Sequence, residues 1–504
     1  MNTVVSSKEL DYQRLPTGVP GLDTILGGGF MRGGIYIIQG DPGAGKTILT
    51  NQICFHHIST VEAGRALFVT LLAENHARML SNLRGLSFFD ESRIPEGLTY
   101  LSAFNELREE GPQGVSNLLR REILRRRCSL LVLDGIVSAQ TTATSDQAFK
   151  EFIHSLQEIA LATDCTMIMT NNVGMELVSP EQTMVDGLIR LNDRNYGWRS
   201  ESDLQVTKFR GSAFLRGRHA YKITNAGLIV HPRIEALLAR PSQQEKLSRG
   251  RTSSGIVKLD EMLDGGLPTD STTMVMGPSG AGKTTIGLHF LSECSEAEPG
   301  LMFGFYETPE RTRAKAEVMS EALASLIDAG TVEVMWQPPT DDLLDAYGER
   351  LLAAVRRRNV RRLFIDGLGG FTKAAVEPAR MDHFFTALAN ELRVLGVTTL
   401  YSLEVPDILG PAIRIPVDDI SSIAENMVLL RFIEVRSSLY RLISILKVRN
   451  SNFNPSLHEF KISNDGLVIN DTSESAESIL SGVGSQAEQI AVASSATPRP
   501  LGKG

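Results

Sequence analysis

The sequence predicts an α/β protein made of two similar domains in tandem, each a mostly parallel sheet flanked by helices. Two observations predict this fold: the chain repeats itself at long range, and each copy alternates short apolar strands with helical stretches. Gly18 and Gly255 lie 237 residues apart in matching segments, and Gly40 and Gly277 have the same separation. A repeat this long is a duplicated domain, because the units of solenoid proteins are far shorter.

The predicted strands are short apolar runs, which is typical of parallel sheets that are buried on both faces. They are Ile35–Ile38, Leu67–Leu71, Leu130–Leu133 and Thr166–Met169 in the first copy, and Thr273–Met276, Leu301–Phe305, Leu363–Ile365 and Thr398–Ser402 in the second. We place domain one at residues 14–240 and domain two at residues 247–470. The polar segment Leu238–Ser253 is predicted to be an exposed linker, and the serine-containing residues 471–504 a disordered C-terminal tail.

Charge and composition argue against several classes of protein. The chain has 51 Lys and Arg against 59 Asp and Glu, a formal charge of −8, so it gains no long-range attraction to nucleic acid or anionic membranes. Its four widely separated cysteines indicate neither a disulfide framework nor a zinc site. No apolar run approaches the roughly 18 residues that span a bilayer. We therefore expect a cytoplasmic protein.

A glycine-rich phosphate-binding motif, G-x-x-x-x-G-K-[ST], stands between a predicted strand and a helical stretch in each copy. It comprises Gly40, Asp41, Pro42, Gly43, Ala44, Gly45, Lys46 and Thr47 in domain one, and Gly277, Pro278, Ser279, Gly280, Ala281, Gly282, Lys283 and Thr284 in domain two. The glycines let backbone N–H groups turn toward phosphates, and the lysine balances their charge. One isolated match could be a glycine-rich turn that caps a helix. Two matches at one offset predict two ATP sites.

A strand-terminal aspartate follows each motif, Asp134 in domain one and Asp366 in domain two. The hydroxyls of Thr47 and Thr284 are predicted to bind Mg²⁺, and these carboxylates to hold it through water. An aspartate at the end of a strand is often only a turn former. The repetition beside both motifs favours the magnesium interpretation.

These motifs, with the lead-ins Leu26–Gly29 and Gly265–Gly266, resemble the KaiC family of RecA-like P-loop ATPases over about residues 14–470. A K-x-R strand motif late in each copy belongs to the same resemblance. In that family the motif reaches across a subunit boundary to the neighbour's nucleotide. The resemblance therefore implies a homo-hexameric ring. It also implies that four cationic side chains act on the nucleotide of a neighbouring subunit: Lys208, Arg210, Lys447 and Arg449. A solvated strand edge that carries Lys and Arg is the alternative.

The resemblance also implies a pair of carboxylates after the second strand, one of which orients the attacking water or accepts its proton. Domain two keeps one of them, Glu307, which follows Tyr306. In domain one the aligned pair is Leu72–Ala73, and Glu74 lies one position further along. Two alternatives remain: Glu74 acts through a small backbone shift, or domain one hydrolyses ATP poorly and serves assembly.

Ser421 and Ser422 stand where the family has a phosphorylated Ser-Thr pair, so the resemblance implies autophosphorylation by ATP bound in domain two of the neighbour. Ser422 precedes Lys447 by 25 residues, and Thr183 precedes Lys208 by the same number. The alternative is that the two serines only cap a helix or close a turn.

The resemblance thus predicts an ATPase with serine/threonine autokinase activity, which acts as a nucleotide-dependent ring in signalling or clock-type regulation. ATP and Mg²⁺ are the expected cofactors, and other copies of the chain are the expected partners. One alternative is a nucleotide-gated assembly scaffold with negligible turnover. Another is a RecA-type DNA-dependent ATPase, which the acidic charge disfavours. We expect no partnership with nucleic acid or membranes.

Overall fold

A computed structural model describes residues 14–61, 64–72, 76–172, 183–239, 250–340, 342–406, 424–435, 438–449, 451–463 and 466–470. The chain divides into two compact units, residues 1–237 and 238–504. The predicted disordered tail, 471–504, and most of the predicted linker lie outside the described residues. Within those residues no helix is long and apolar enough to cross a membrane.

Unit one is built on a nine-stranded sheet in the order β11-β10-β9-β8-β3-β7-β6-β4-β5, beside a two-stranded sheet of β1 and β2. Its strands are β1 (Arg14–Leu15), β2 (Phe30–Met31), β3 (Ile35–Gly40), β4 (Ala66–Thr70), β5 (Leu98–Ser102), β6 (Leu130–Asp134), β7 (Thr166–Asn171), β8 (Gly187–Tyr196), β9 (Arg199–Phe209), β10 (Arg218–Thr224) and β11 (Gly227–His231). Its helices are α1 (Leu22–Leu26), α2 (Lys46–Thr60), α3 (His76–Leu83), α4 (Phe104–Arg126), α5 (Val137–Thr142), α6 (Asp146–Thr163) and α7 (Ile234–Leu237).

Unit two repeats this plan with a nine-stranded sheet in the order β16-β15-β17-β18-β14-β19-β20-β21-β22 and a two-stranded sheet of β12 and β13. Its strands are β12 (Arg251–Thr252), β13 (Leu267–Pro268), β14 (Thr272–Gly277), β15 (Gly300–Gly304), β16 (Val332–Trp336), β17 (Arg362–Asp366), β18 (Thr398–Glu404), β19 (Asn426–Val435), β20 (Ser438–Lys447), β21 (His458–Ser463) and β22 (Gly466–Ile469). Its helices are α8 (Val257–Met262), α9 (Lys283–Ser292), α10 (Pro309–Met319), α11 (Glu321–Asp328), α12 (Leu344–Arg358), α13 (Gly369–Ala374) and α14 (Met381–Val394).

The predicted strands of both copies form the parallel part of each sheet, which confirms the predicted fold class. In unit one, β3 pairs in parallel with β7 and β8, and β6 pairs in parallel with β4 and β7. Apolar residues cover both faces: Tyr36 and Ile38 belong to one buried cluster, and Ile35 and Ile37 to the other. Burial on both faces explains why these strands read as continuous apolar runs.

Antiparallel strands extend each sheet beyond its parallel part. β8 pairs with β9, β9 with β10 and β10 with β11, and strands β19 to β22 repeat the arrangement. Apart from the strand of the K-x-R motif, these strands were not among the predictions, because buried and exposed residues mix along them. β9 and β20 carry the lysines of the two K-x-R motifs, Lys208 and Lys447.

Candidate nucleotide-binding sites

Each sheet carries its glycine-rich loop at the carboxyl end of a central strand. The loop of domain one joins β3 to α2, and the loop of domain two joins β14 to α9. Gly45 and Gly282, which precede the helices, have φ values of 91° and 105° in the left-handed region that favours glycine. A Cβ on Gly40 would lie 2.7 Å from the Leu191 carbonyl oxygen, so only glycine fits there. Both loops present backbone N–H groups and the positive end of a helix to an anion.

The lysine of each motif folds over its own loop. Lys46 Nζ donates to the carbonyl oxygens of Gly40, at 2.7 Å, and Asp41, at 3.0 Å. Lys283 Nζ makes the two equivalent hydrogen bonds in domain two, each 2.8 Å long. Burial lowers the pKa of both lysines, while nearby carboxylates act to raise it. An ammonium group placed here can exchange carbonyl oxygens for β- and γ-phosphate oxygens.

In domain two the candidate Mg²⁺ residues are in direct contact. Thr284 Oγ1 donates to Asp366 Oδ2 at 3.0 Å, and Ser402 Oγ donates to Asp366 Oδ1 at 2.7 Å. Burial raises the pKa of the Asp366 carboxyl, whereas the hydrogen bonds from Ser402 and Thr284 lower it. A hydroxyl and a carboxylate beside the loop suit Mg²⁺, which prefers oxygen ligands. Among the described residues no group of three or more His, Cys, Asp or Glu could hold a metal. Phosphate and water oxygens would therefore complete the shell.

In domain one, the same pattern of hydrogen bonds surrounds the corresponding aspartate, Asp134. The Thr170 hydroxyl donates to the buried Asp134 carboxylate and accepts the Gly135 N–H at 3.0 Å. Ser402 makes the corresponding pair of contacts in domain two. Thr47 is the second residue of α2, directly after the loop lysine. Both domains therefore retain the groups expected around a magnesium–nucleotide complex.

A cleft of about 620 Å³ opens beside the loop of domain two. This volume lies in the range of small-molecule sites, roughly 300 to 1,000 Å³. Several charged side chains line it: Lys283, Lys315, Lys373, Glu307, Asp366 and Glu404. The cleft therefore brings both signs of charge to the place that the γ-phosphate would occupy.

The retained carboxylate of domain two lies in this cleft. Glu307 Oε1 accepts a hydrogen bond from Lys315 Nζ, and Glu307 Oε2 is buried without a hydrogen-bond partner among the described residues. The preceding residue, Tyr306, is 53% exposed, and Lys373 Nζ lies 5.1 Å from its ring centroid. Glu307 can therefore accept a proton within the cleft, and Tyr306 stands where the resemblance implies the other carboxylate of the pair.

Domain one has an apolar side chain, Leu72, at the position that corresponds to Tyr306. A Cβ on Gly135 would meet the Leu72 side chain at 2.9 Å, just as a Cβ on Gly367 would meet the Tyr306 ring at 2.6 Å. Leu72 thus takes the place of Tyr306. The next two residues, including the candidate Glu74, fall outside the described ranges.

The K-x-R pair of domain one lies far from the loop of its own domain. Lys208 Nζ donates to the Thr183 carbonyl oxygen at 2.7 Å, and Arg210 Nη2 donates to the same oxygen at 3.3 Å. The Arg210 N–H donates to the Asp186 carbonyl at 2.7 Å, and the Asp186 carboxylate accepts the Ile35 N–H at 3.0 Å. Ile35 begins β3, whereas the loop follows its end, which is roughly 17 Å away at the usual rise per residue.

Domain two repeats this arrangement. Lys447 Nζ donates to the Ala424 carbonyl oxygen at 3.1 Å, and the Arg449 N–H donates to Asn426 Oδ1 at 3.3 Å. Asn426 pairs with Thr273, the second residue of β14. The cations of both motifs therefore lie at the opposite end of the central strand from the loop of their own domain.

The candidate phosphoacceptors are only partly described. Ser421 and Ser422 lie outside the described residues. Thr183, the matching hydroxyl of domain one, is exposed, and its carbonyl oxygen holds both cations of the K-x-R motif.

Sequence reasoning missed several residues of the two sites, namely Thr170, Ser402, Lys315, Lys373 and Glu404. The signal for three of them was available, since Thr170, Ser402 and Glu404 are polar residues at the carboxyl ends of apolar strands. Ligands bind at that edge of open α/β sheets. Lys315 and Lys373 lie on helices whose surfaces are polar in any case, so no sequence pattern distinguished them.

Comparison with known proteins agrees with this geometry. The KaiC ATPase family matches residues 15–235 and 252–474. The circadian clock oscillator protein KaiC of Picosynechococcus sp. is 24% identical over 485 residues, which is 93% of this chain and 92% of that protein. KaiC of Synechococcus elongatus is 24% identical over 500 residues, which is 95% of this chain and 93% of that protein. The similarity therefore spans both domains of this chain.

Proposed function

Because this chain belongs to the KaiC family of ATPases, we propose that it is a two-site ATPase whose phosphoryl transfer takes place mainly in domain two. The observation that carries this proposal is the buried Oε2 of Glu307, which faces no hydrogen-bond partner among the described residues. Domain one has Leu72 where domain two begins its Tyr-Glu pair. The two sites are therefore alike in binding and unlike in catalysis.

The proposed reaction at domain two is an in-line displacement at the γ-phosphorus. A water oxygen forms the new bond to phosphorus, the bond to the bridging oxygen of ADP breaks, and inorganic phosphate leaves. Glu307 Oε2 accepts the proton of the water, and Lys283 stabilises the phosphate charge. Thr284 and Asp366 would hold Mg²⁺, which neutralises charge on the phosphate oxygens.

Nucleotide binding in domain one would serve mainly to hold the assembly together. The loop of domain one and the Asp134 frame are intact, which supports binding. A nucleotide-gated scaffold without turnover is the second candidate function, and the apolar Leu72 favours it for this domain. Purified chain incubated with labelled ATP separates the two, because a pure scaffold releases no labelled phosphate.

We expect each K-x-R pair to act on the nucleotide of a neighbouring subunit. The pair lies roughly 17 Å along the strand from the loop of its own domain, so it is badly placed to reach the phosphates bound there. A neighbouring copy in a ring would bring the motif to a loop instead. An arginine that reaches in this way stabilises charge on the transferring phosphoryl group.

This arrangement predicts assembly that depends on Mg-ATP, with a homo-hexamer as the expected state. Light scattering should show the hexamer at micromolar chain concentration with saturating Mg-ATP and smaller species without nucleotide. Mixing Lys447→Ala/Arg449→Ala chains with Glu307→Gln chains should restore part of the activity, because some interfaces then combine one intact cation pair with one intact carboxylate. A monomer in saturating Mg-ATP would contradict the proposed assembly. If the mixed chains release phosphate no faster than the two variants measured separately, the sites are not shared between subunits.

Autophosphorylation at Ser421 or Ser422 is the second reaction that we propose. A serine hydroxyl would replace water as the nucleophile, and its proton would pass to a carboxylate such as Glu307. Each phosphate adds about 1.5 to 2 negative charges near a subunit boundary, which can change ring affinity or partner choice. After incubation with Mg-ATP, tandem mass spectrometry should find phosphate at one of these serines. Unmodified serines would contradict the proposal, and phosphate on Thr183 would place the kinase activity in domain one.

A further inference from the structure

Lys315 contacts Glu307, the carboxylate in the cleft of domain two. It lies on α10, the helix that begins two residues after Glu307, and its ammonium group donates to Glu307 Oε1. The Lys315 side chain is 52% exposed and the Glu307 side chain 24% exposed, so the contact lies at the mouth of the cleft. An ion pair as exposed as this one contributes little to the stability of the fold. Its relevance lies in where it fixes the Glu307 carboxylate.

The ion pair leaves the two carboxylate oxygens in different states. Oε1 is bound to the lysine, whereas Oε2 is buried and has no hydrogen-bond partner among the described residues. Leaving a buried acceptor without a hydrogen-bond partner costs free energy. A water or hydroxyl in the cleft would relieve that cost by donating to Oε2. Glu307 is therefore anchored through one oxygen and offers the other for a proton.

On the described helix α3 of domain one, the position that corresponds to Lys315 is not a lysine. Thr312 and Ala316 are buried on α10 as Met79 and Leu83 are buried on α3. This register places Asn82, an uncharged residue, where domain two has Lys315. Domain two thus has both Glu307 and Lys315, whereas domain one has an amide at the position of the lysine.

Glu307 depends on this contact for its position. Among the described residues, Lys315 is the only one that hydrogen-bonds the Glu307 carboxylate. A glutamate on a turn has several rotamers, and a displacement of about 1 Å costs up to 10²-fold in rate. We propose that Lys315 is a positioning residue that holds Glu307 Oε2 in line with the proton of the attacking water.

This inference rests on the proposed function of domain two, and the experiment separates the two. Domain-two turnover is measured on the full chain as phosphate release minus that of the Lys283→Ala variant. Lys315→Met keeps the aliphatic stem and removes the ammonium group. It should lower kcat roughly 10- to 100-fold, leave KM for ATP within about twofold because the phosphate cradle is untouched, and leave the thermal midpoint unchanged. Lys315→Arg should restore most of the rate, since it restores the ion pair.

The decisive comparison places Lys315→Met in a Glu307→Gln background, where it should have no further effect. Residues that act through one another are non-additive, whereas independent residues lose activity multiplicatively. The matched control is Arg313→Met on the same helix, where Arg313 pairs with Glu317 and Asp328 outside the cleft. It should leave turnover unchanged.

Three outcomes would overturn the positioning role. These are an equal loss in the Glu307→Gln background, no loss with Lys315→Met alone, or a faster rate, which would make the ion pair a restraint. If Glu307→Gln itself left turnover unchanged, the proposed function would fail instead.

Discussion

Glu307→Gln is expected to lower domain-two turnover by roughly 10²- to 10⁴-fold, which is the usual contribution of a general base. The amide keeps the size and shape of the side chain but cannot take up the proton of the attacking water. Nucleotide binding should persist, because the loop, Lys283 and the Asp366 frame are unchanged. The measurement is phosphate release under saturating Mg-ATP, beside a count of bound nucleotides.

Two further variants give this prediction its controls. Glu310→Gln changes an exposed carboxylate in the first turn of α10 and should leave turnover unchanged. Glu74→Gln, in domain one, should have a smaller effect than Glu307→Gln. Equal small losses in the Glu307 and Glu74 variants would mean that another group orients the water, and the assignment of Glu307 would then be wrong.

Lys46→Ala and Lys283→Ala are each expected to remove one bound nucleotide per chain, from two to one. Each change deletes the cation that balances the β- and γ-phosphates, while the backbone loop remains. Equilibrium dialysis with a slowly hydrolysed ATP analogue counts the loss. Lys150→Ala, an exposed lysine on α6, is a control that should keep both nucleotides. A full complement in either loop variant would show that the site in question does not bind ATP through this motif.

The sequence was sufficient to predict the parallel half of each sheet and the two loops. Strands such as Leu130–Asp134 are buried on both faces, so their hydrophobicity alone identifies them. The loops are recognisable because their geometry demands glycine at fixed positions: Gly45 and Gly282 have left-handed backbone. Repetition at one offset then made the motifs hard to attribute to chance.

The remainder of the site was not predictable because it depends on contacts across the fold. Lys315 lies on α10 and hydrogen-bonds Glu307, which stands two residues before the helix begins. Their separation of eight residues in the sequence does not predict that contact. Thr170 and Ser402 stabilise their aspartates from a neighbouring strand, 36 residues away in each case. These contacts depend on which strands are neighbours in the sheet. The sequence predicted a mostly parallel sheet but not the order of its strands.

The long antiparallel strands illustrate a further limit. The K-x-R motif could be located on a strand, but its distance from the loop of the same domain became evident only from the pairing of β8 with β3 and β9. That pairing places Arg210 beside Ile35, at the start of the strand whose other end carries the loop. This placement supports a role for the motif at a neighbouring site.

The central claim is that the chain is a two-site ATPase with unequal domains, and one comparison tests it most directly. Steady-state phosphate release is measured for Lys46→Ala and Lys283→Ala at equal chain concentration in saturating Mg-ATP, with assembly followed by light scattering. At a chain concentration where light scattering shows that both variants still assemble, turnover should survive in Lys46→Ala chains and fall to a small residual rate in Lys283→Ala chains. Turnover that survives equally in both, or only in Lys283→Ala chains, would contradict the assignment of phosphoryl transfer to domain two.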